Sequence, residues 1–190
     1  MALATPRIVI VGDSLAAGYG LDPGQSFPAR LSEKLAQAGH PIEMIDQGVS
    51  GDTSAGGAAR IDAALAEHPD AVLLELGAND ALRGINPALT AADLHRILDR
   101  LQAAHVKVLL LGMQAPGNWG RDYQRQFDAI YPRLAAEFHV PLYPFILDGV
   151  ALDPKLNQPD LLHPNEAGAE LIAGRLVPYV ENLLGQAPDR

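Results

Sequence analysis

Short apolar runs alternate along the chain with segments in which apolar residues recur every three or four positions. Five of these runs, mostly rich in Val, Ile or Leu, predict buried strands at residues 7–11, 42–45, 71–76, 106–113 and 140–143. The segments between and after them have the spacing of amphipathic helices. This alternation predicts an α/β fold, with a five-stranded parallel sheet covered by helices on both faces and joined by right-handed crossovers.

Some helix boundaries can be placed from local sequence. Ser26 precedes the first helical segment and predicts the residue at which that helix begins. Thr90, with Asp93 three residues later, predicts the cap of the third helix. Pro178 lies within the last helical segment and predicts that this helix is kinked or split.

Length and composition indicate a single domain over residues 1–190, because a hydrophobic content of 48% is enough for one full core. The net charge of −9, with Lys and Arg scattered along the chain, argues against nucleic acid as a partner. No run reaches the roughly 18 apolar residues of a transmembrane helix, so no integral membrane segment is expected. Oligomeric state is left open.

Two compositional features concern redox chemistry and location. The chain has no cysteine, which excludes disulfides, thiolate metal sites and a cysteine nucleophile. Residues 1–7 contain no basic segment followed by an apolar stretch and a small-residue cleavage site, so no intact signal peptide is predicted. The protein is then expected to be either cytoplasmic or a mature form of an exported protein.

Candidate chemistry lies in the loops that follow the strands, because sites in open parallel sheets form at the carboxyl ends of the strands. Three small, polar, glycine-bearing loops follow the first three predicted strands, at residues 12–15, 48–53 and 77–80. In a sheet of order 2-1-3-4-5 the first strand lies between the second and the third. That order is expected to bring Ser14, Gly51 and Asn79 around one point.

A fourth candidate segment, with Asp160 and His163, comes just before the last helix. About sixteen residues separate Tyr143 from Asp160, and at about 3.3 Å per extended residue they can cross back to the first strand. Taken singly, each candidate has an ordinary explanation as a helix cap or a turn residue. Their convergence on one edge of the predicted sheet favours a common site.

These residues supply what acyl transfer requires. A serine hydroxyl needs a base to take its proton, and the base needs a third group to orient it, so Ser14, His163 and Asp160 fit a catalytic triad. A developing oxyanion needs preorganised donors. The backbone N–H groups of Ser14 and Gly51 and the side-chain amide of Asn79 can provide them.

Four motifs resemble those of one known family: GDSL at 12–15, SGDT at 50–53, GAND at 77–80 and DLLHP at 160–164. In order and spacing they are similar to the blocks of the GDSL, or SGNH, hydrolases. Further short matches, such as LRG at 82–84 and AIYP at 129–132, resemble the bacterial thioesterase I, arylesterase and lysophospholipase group. The resemblance extends from about residue 7 to residue 184.

This resemblance implies a flavodoxin-like three-layer α/β/α sandwich and hydrolysis of esters, with thioesters and lysophospholipids as further candidate substrates, without metal or cofactor. It implies Ser14 as the nucleophile, Gly51 and Asn79 as oxyanion donors, and Asp160 and His163 as the other triad members. Members of the group are often exported, which favours a periplasmic or secreted protein.

The acyl pocket is harder to place from sequence. We expect it to be formed by residues 81–87 and 117–123, with Leu82, Trp119 and Tyr123 as its candidate side chains. The alternative is that Trp119 anchors a surface loop. Asp13 and Asp80 are expected to hold their loops by accepting backbone N–H groups, and no metal site is predicted.

Three other functions compete with ester hydrolysis on the same sequence. A nucleotide-binding module is disfavoured because neither G-x-x-x-x-G-K-[ST] nor G-x-G-x-x-G occurs. A binding protein that has lost catalysis is disfavoured because Ser14, Asn79 and His163 are all present. A carbohydrate or other specialised O-deacetylase remains the alternative, since the same catalytic set serves many acyl donors.

Overall fold

Five parallel strands form one sheet in the computed structural model, which describes residues 5–185: β1 (Arg7–Gly12), β2 (Glu43–Gly48), β3 (Ala71–Glu75), β4 (Lys107–Leu111) and β5 (Leu142–Tyr143). Their order in the sheet is β2-β1-β3-β4-β5. All four neighbouring pairs are parallel. The predicted α/β class, strand number and strand order are therefore confirmed.

Within residues 5–185, seven α-helices connect and follow the strands: α1 (Phe27–Gln37), α2 (Ser54–Ala66), α3 (Ala78–Leu82), α4 (Pro87–Ala103), α5 (Arg121–Asp128), α6 (Ile130–Phe138) and α7 (Glu166–Leu184). They pack in two groups that flank the sheet, with α1 against α7 and α2 against α4. The inner strands carry continuous apolar runs because both of their faces are covered; residues 8–11 of β1 and 71–74 of β3 have no solvent exposure.

The N-cap of α1 lies where it was predicted, while that of α4 does not. The side chain of Ser26 accepts a hydrogen bond from Ala29 N. The helix α4 begins at Pro87, and Asn86 caps it by accepting from Ala88 N at 2.9 Å, so the cap predicted at Thr90 is wrong. Asn86 supplies the cap acceptor and Pro87 has the fixed φ that suits the first helical residue, which makes this the stronger start signal.

The last helix, α7, runs from Glu166 to Leu184 with Pro178 inside it, so it is not split. Proline removes one backbone donor, and the packing of α7 against α1 and β4 holds the helix together across that gap. None of the helices within residues 5–185 is both long and apolar enough to cross a membrane. The prediction about a signal peptide falls on the N-terminal segment, of which residues 1–4 lie outside the described residues.

Candidate active site

The residues predicted to form the triad meet at the carboxyl edge of the sheet. Ser14 lies two residues after β1, and His163 lies in the loop before α7. His163 Nε2 is 2.9 Å from Ser14 Oγ, and His163 Nδ1 is 2.6 Å from Asp160 Oδ2. The long connection from β5 thus returns across the sheet edge to the first strand, and three groups separated by up to 149 residues lie within hydrogen-bond distance.

Hydrogen bonds to both oxygens of Asp160 keep its side chain ionised as a carboxylate. Its Oδ1 accepts the backbone N–H groups of Leu162 and His163, both at 3.0 Å, while Oδ2 faces the imidazole. Burial alone would raise the pKa of Asp160, but the hydrogen bonds from the His163 side chain and from the two backbone groups lower it to about 2. At neutral pH the carboxylate is therefore ready to hold the Nδ1–H of the imidazole.

Two residues that sequence reasoning missed connect the loop of Ser14 with the loop of His163. The ring of Tyr19 packs against the imidazole of His163, with 4.6 Å between ring centroids. Gln158 Nε2 donates to Tyr19 O at 2.6 Å and to Pro164 O at 3.0 Å. No local motif could have revealed the contacts of Tyr19 with His163 and with Gln158, because they join residues more than 130 positions apart.

Of the three predicted oxyanion donors, Ser14 and Gly51 lie in the loops after β1 and β2, and Asn79 lies in the first turn of α3, directly after β3. Gly51 has a φ of +82°, a conformation that glycine adopts without strain, and its carbonyl accepts from Arg83 Nη2 at 2.8 Å. Among residues 5–185, the backbone N–H groups of Ser14 and Gly51 have no protein acceptor. Asn79 Nδ2 donates one hydrogen to Asp13 Oδ2 at 3.1 Å, which leaves its second hydrogen for another acceptor.

Asp13 and Asp80 support the loops in the way that was predicted for them. Asp13 is fully buried and accepts from Leu15 N at 3.0 Å as well as from Asn79. Burial raises the pKa of Asp13 to about 6, against the lowering effect of these hydrogen bonds. Asp80 accepts from Ser54 N at 2.9 Å and from Thr90 Oγ1 at 3.0 Å, so the Thr90 side chain, buried inside α4, binds Asp80 instead of capping the helix.

A cavity of about 340 Å³ opens beside Ser14 and His163. Its other lining residues are mostly apolar and come from the loop after β1, from α3 and from the segments that follow β4 and β5: Leu15, Ala78, Asn79, Ala81, Leu82, Met113, Gln114, Ala115, Pro116, Phe145, Leu147, Ala151, Leu152, Leu161 and Leu162. A larger groove of about 730 Å³ lies at the opposite edge of the sheet, and its lining contains no serine and no carboxylate. Of these two cavities, the smaller one is therefore the candidate substrate pocket, because Ser14 and His163 line it.

Leu82 lines this cavity, whereas Trp119 and Tyr123 do not. Trp119 Nε1 donates to Ala81 O at 2.9 Å, and Tyr123 Oη donates to Ile85 O at 2.8 Å. Both aromatic residues thus support α3 and the residues that follow it. The indole N–H and the phenol O–H each take a backbone carbonyl as acceptor, and these hydrogen bonds hold the two rings outside the cavity. The expectation that they form the pocket is corrected accordingly.

The cavity wall that the sequence analysis missed comes mainly from the segment between β5 and α7. Leu152 and Leu161 both have positive φ values, +62° and +57°, and both are exposed at the cavity rim. A non-glycine residue in this region is strained, and such strain is concentrated at functional sites. The sequence feature that could have indicated this wall is the number of apolar residues between β5 and α7, a segment without helical or strand periodicity.

The fold and this arrangement of serine, carboxylate and imidazole at the sheet edge define a serine hydrolase of the SGNH type. The model of the GDSL-like lipase/acylhydrolase family matches residues 10–171, and the chain belongs to that family. It is accordingly an enzyme that hydrolyses carboxylic esters.

Several characterised proteins are similar over nearly the whole chain. Thioesterase 1/protease 1/lysophospholipase L1 of Escherichia coli (strain K12) is 41% identical over 96% of this chain and 87% of its own length. Esterase TesA of Pseudomonas aeruginosa is 40% identical over 95% of this chain and 90% of its own. The crystal structure of AlinE4, an SGNH-hydrolase family esterase, superposes with a TM-score of 0.81 at 43% identity, covering 97% of this chain and 99% of that one.

Proposed function

We propose that the protein is a serine esterase that cleaves short to medium acyl or aryl esters through an acyl-enzyme on Ser14. The observation that carries this proposal is the linked contact from Ser14 Oγ to His163 Nε2 at 2.9 Å and from His163 Nδ1 to Asp160 at 2.6 Å, beside an apolar cavity. A hydroxyl paired with an oriented imidazole is the arrangement that activates serine for attack on a carbonyl carbon.

Acylation follows from these distances. Ser14 Oγ attacks the ester carbonyl while His163 Nε2 takes the hydroxyl proton, and the imidazolium is stabilised by the ionised Asp160. The carbonyl oxygen, now an anion, accepts hydrogen bonds from the free N–H groups of Ser14 and Gly51 and from Asn79 Nδ2. His163 then returns the proton to the departing alkoxide, which leaves the acyl group on Ser14.

Deacylation uses the same groups in reverse. A water molecule gives its proton to His163 Nε2 and attacks the acyl carbon, and the oxyanion donors stabilise the second tetrahedral intermediate. When this intermediate collapses, the proton returns to Ser14 Oγ and the carboxylic acid leaves. Every proton transfer passes through one imidazole nitrogen, and Asp160 keeps the imidazole in a single tautomer throughout.

The lining of the cavity favours an apolar acyl or aryl group over a carbohydrate. Most of its side chains are aliphatic; Phe145 adds an aromatic ring, and Gln114 is among the few polar residues. A sugar would leave its hydroxyl groups without hydrogen-bond partners against such a wall. The O-deacetylase alternative is therefore less favoured, while thioesters and lysophospholipids, which appear in the name of the E. coli relative, remain within the proposal.

Activity on a matched set of substrates tests this proposal. We expect p-nitrophenyl esters of short and medium acyl chains to be hydrolysed well, with acyl thioesters and a lysophospholipid as further arms. An acetylated xylose or glucosamine derivative should be a poor substrate. Faster turnover of the acetylated sugar than of every alkyl or aryl ester would contradict the proposal and favour the deacetylase.

The rim of the cavity should set acyl-chain preference. Leu152 lines the cavity and is 70% exposed, so Leu152→Ala removes apolar contact without disturbing the core. We expect kcat/KM for a medium-chain p-nitrophenyl ester to fall by about fivefold, corresponding to about 1 kcal/mol of lost apolar contact. The value for the acetate ester should change little, because acetate does not extend to the rim.

Trp119→Ala is the contrasting variant, since Trp119 supports the loop from outside the cavity. Its effect on kcat/KM should be the same across the ester series, whatever its size. A change in chain-length preference in this variant, with none in Leu152→Ala, would show that the cavity has been assigned to the wrong wall.

The partners and location of the protein follow the same proposal. We expect a small-molecule ester as the ligand and no nucleic acid, in keeping with the net charge of −9. The family resemblance favours the periplasm or the exterior over the cytoplasm. Fractionation of the source cells with an antibody against this chain tests the location, and detection in the cytoplasmic fraction alone would contradict it.

A further inference from the structure

Glu75 is a fully buried carboxyl group that the proposed reaction does not use. It is the last residue of β3 and lies beside the residues that lead to Ser14. Its Oε2 accepts the backbone N–H of Asp13 at 3.1 Å. Its Oε1 is buried and has no hydrogen-bond partner among the residues that the structure describes. Burying a carboxyl oxygen without a hydrogen-bond partner lowers the stability of the fold. The presence of Glu75 at this position therefore calls for a functional explanation.

Glu75 holds the peptide group between Gly12 and Asp13 at its N–H end, by accepting the hydrogen bond from Asp13 N. The other end, the carbonyl of Gly12, accepts from Arg60 Nη2 at 2.9 Å and from Val49 N at 3.1 Å. Gly12 allows this approach, because a Cβ there would lie only 2.6 Å from Glu75 Oε2. The peptide group that precedes the serine by one residue is thus held on both sides.

We propose that Glu75 is a positioning residue for the reaction: it holds the Gly12–Asp13 peptide so that the hydroxyl and the N–H of Ser14 point toward His163 and the oxyanion. This inference rests on the proposed role of Ser14 as the nucleophile. Asp13 extends the effect, because its side chain binds Asn79, so that one turn orients both the nucleophile and an oxyanion donor.

Glu75 performs this role as the neutral acid. Both oxygens of Asp13 accept an N–H group, whereas one oxygen of Glu75 accepts none, so the charge of the pair resides on Asp13 and the proton on Glu75. Burial, and then the negative charge of Asp13, raise the pKa of Glu75 well above its usual range, and they outweigh the lowering effect of the backbone N–H groups of Asp13 and Ala16. Asp46 on β2 adds to this effect; Tyr131 on α6 is neutral, and Arg60 on α2 binds Gly12 O and Asp52 instead.

Two substitutions of Glu75 distinguish a role in positioning Ser14 from a role in packing the core alone. Glu75→Leu removes the acceptor for Asp13 N, and we expect kcat to fall about 10²-fold with little change in KM, as for a misplaced reacting group. Glu75→Gln keeps a neutral acceptor of the same shape, and we expect kcat to stay within about fivefold, the effect of one weakened hydrogen bond. If the Leu variant does not fold, Glu75→Asp, which withdraws the acceptor by one methylene, takes its place with an expected loss of about tenfold in kcat.

The rate at which a fluorophosphonate reacts with Ser14 provides the decisive readout, since it reports nucleophile geometry without turnover. We expect this rate to fall in parallel with kcat in the Leu or Asp variant and to be kept in Glu75→Gln. If the unmodified enzyme is not labelled on Ser14, the proposed function itself fails. If it is labelled and the folded Leu or Asp variant reacts equally fast, or if Gln slows the reaction as much as Leu, positioning by Glu75 is wrong.

Stability against pH tests the neutral acid. The pKa of Glu75 is higher in the folded than in the unfolded state, so its contribution to stability is complete below the unfolded value and is lost as pH rises toward the folded one. Gln does not titrate. In urea titrations, the free energy of unfolding of Glu75→Gln minus that of the unmodified protein should therefore increase as pH rises above about 4.3, the usual pKa of a Glu side chain. Glu67→Gln, directly after α2, provides the baseline, because the Glu67 carboxylate forms no hydrogen bond or ion pair with the residues that the structure describes. A difference for Glu75→Gln that is constant with pH would overturn the neutral assignment.

Discussion

Replacing Ser14 by Ala is expected to lower kcat on p-nitrophenyl esters by about 10⁴-fold or more, because losing the nucleophile of a triad removes the whole covalent route. KM should change little, since the cavity that holds the acyl group is left intact. His163→Ala should give a loss of similar size, and the double variant should lose little more, because the two residues act as one unit. Steady-state kinetics with purified variants measures all three.

Ser32→Ala on α1 provides the matched control, as the same substitution on a helix remote from the cavity. It should retain full activity. Circular dichroism and the melting temperature establish that the Ser14 variant is folded. A folded Ser14→Ala protein that retains more than a few per cent of kcat would contradict the assignment of the nucleophile.

Replacing Asn79 by Ala is expected to lower kcat by about 10² to 10³, the usual effect of removing one oxyanion donor. The loss should appear in kcat rather than in KM, because the hydrogen bond forms only when negative charge develops on the carbonyl oxygen. The same substitution removes one of the hydrogen bonds that lower the pKa of Asp13, so the pKa of Asp13 should rise further.

Asn182→Ala, on the exposed surface of α7, controls for the loss of an amide group elsewhere. It should leave both kinetic constants unchanged. If Asn79→Ala raised KM and left kcat intact, the amide would be a ground-state contact to the substrate, and the oxyanion site would have to be sought in the backbone N–H groups of Ser14 and Gly51 alone.

The sheet could be predicted because each strand is marked by a short stretch of its own sequence. The inner strands β1 and β3 are covered on both faces, so their apolar runs are unbroken, and the order of strands follows from a common α/β pattern. The segments after β1, β2 and β3, which carry Ser14, Gly51 and Asn79, could then be brought together by topology alone. What sequence could not give was the 2.9 Å contact between Ser14 and His163, which depends on the path of a long irregular segment.

The cavity wall was poorly predicted for a related reason. Trp119 and Tyr123 are aromatic residues in and beside a glycine-bearing loop, a pattern that suits a pocket, but each places its polar tip on a carbonyl of the loop after β3. Leu152 and Leu161 lie in a segment without periodicity and adopt positive φ values, which no sequence rule assigns to leucine. Side-chain hydrogen bonds and irregular backbone are properties of the folded chain, and they decided this part of the site.

The central claim, that Ser14 is the nucleophile of an ester hydrolase, is tested most directly by covalent labelling. The protein is treated with a serine-directed fluorophosphonate, digested and mapped by mass spectrometry, with hydrolysis of a p-nitrophenyl ester followed in parallel. We predict one stoichiometric adduct on Ser14, whose formation abolishes hydrolysis and which is absent from Ser14→Ala. An adduct on another residue, or full esterase activity after Ser14 has been labelled, would contradict the claim.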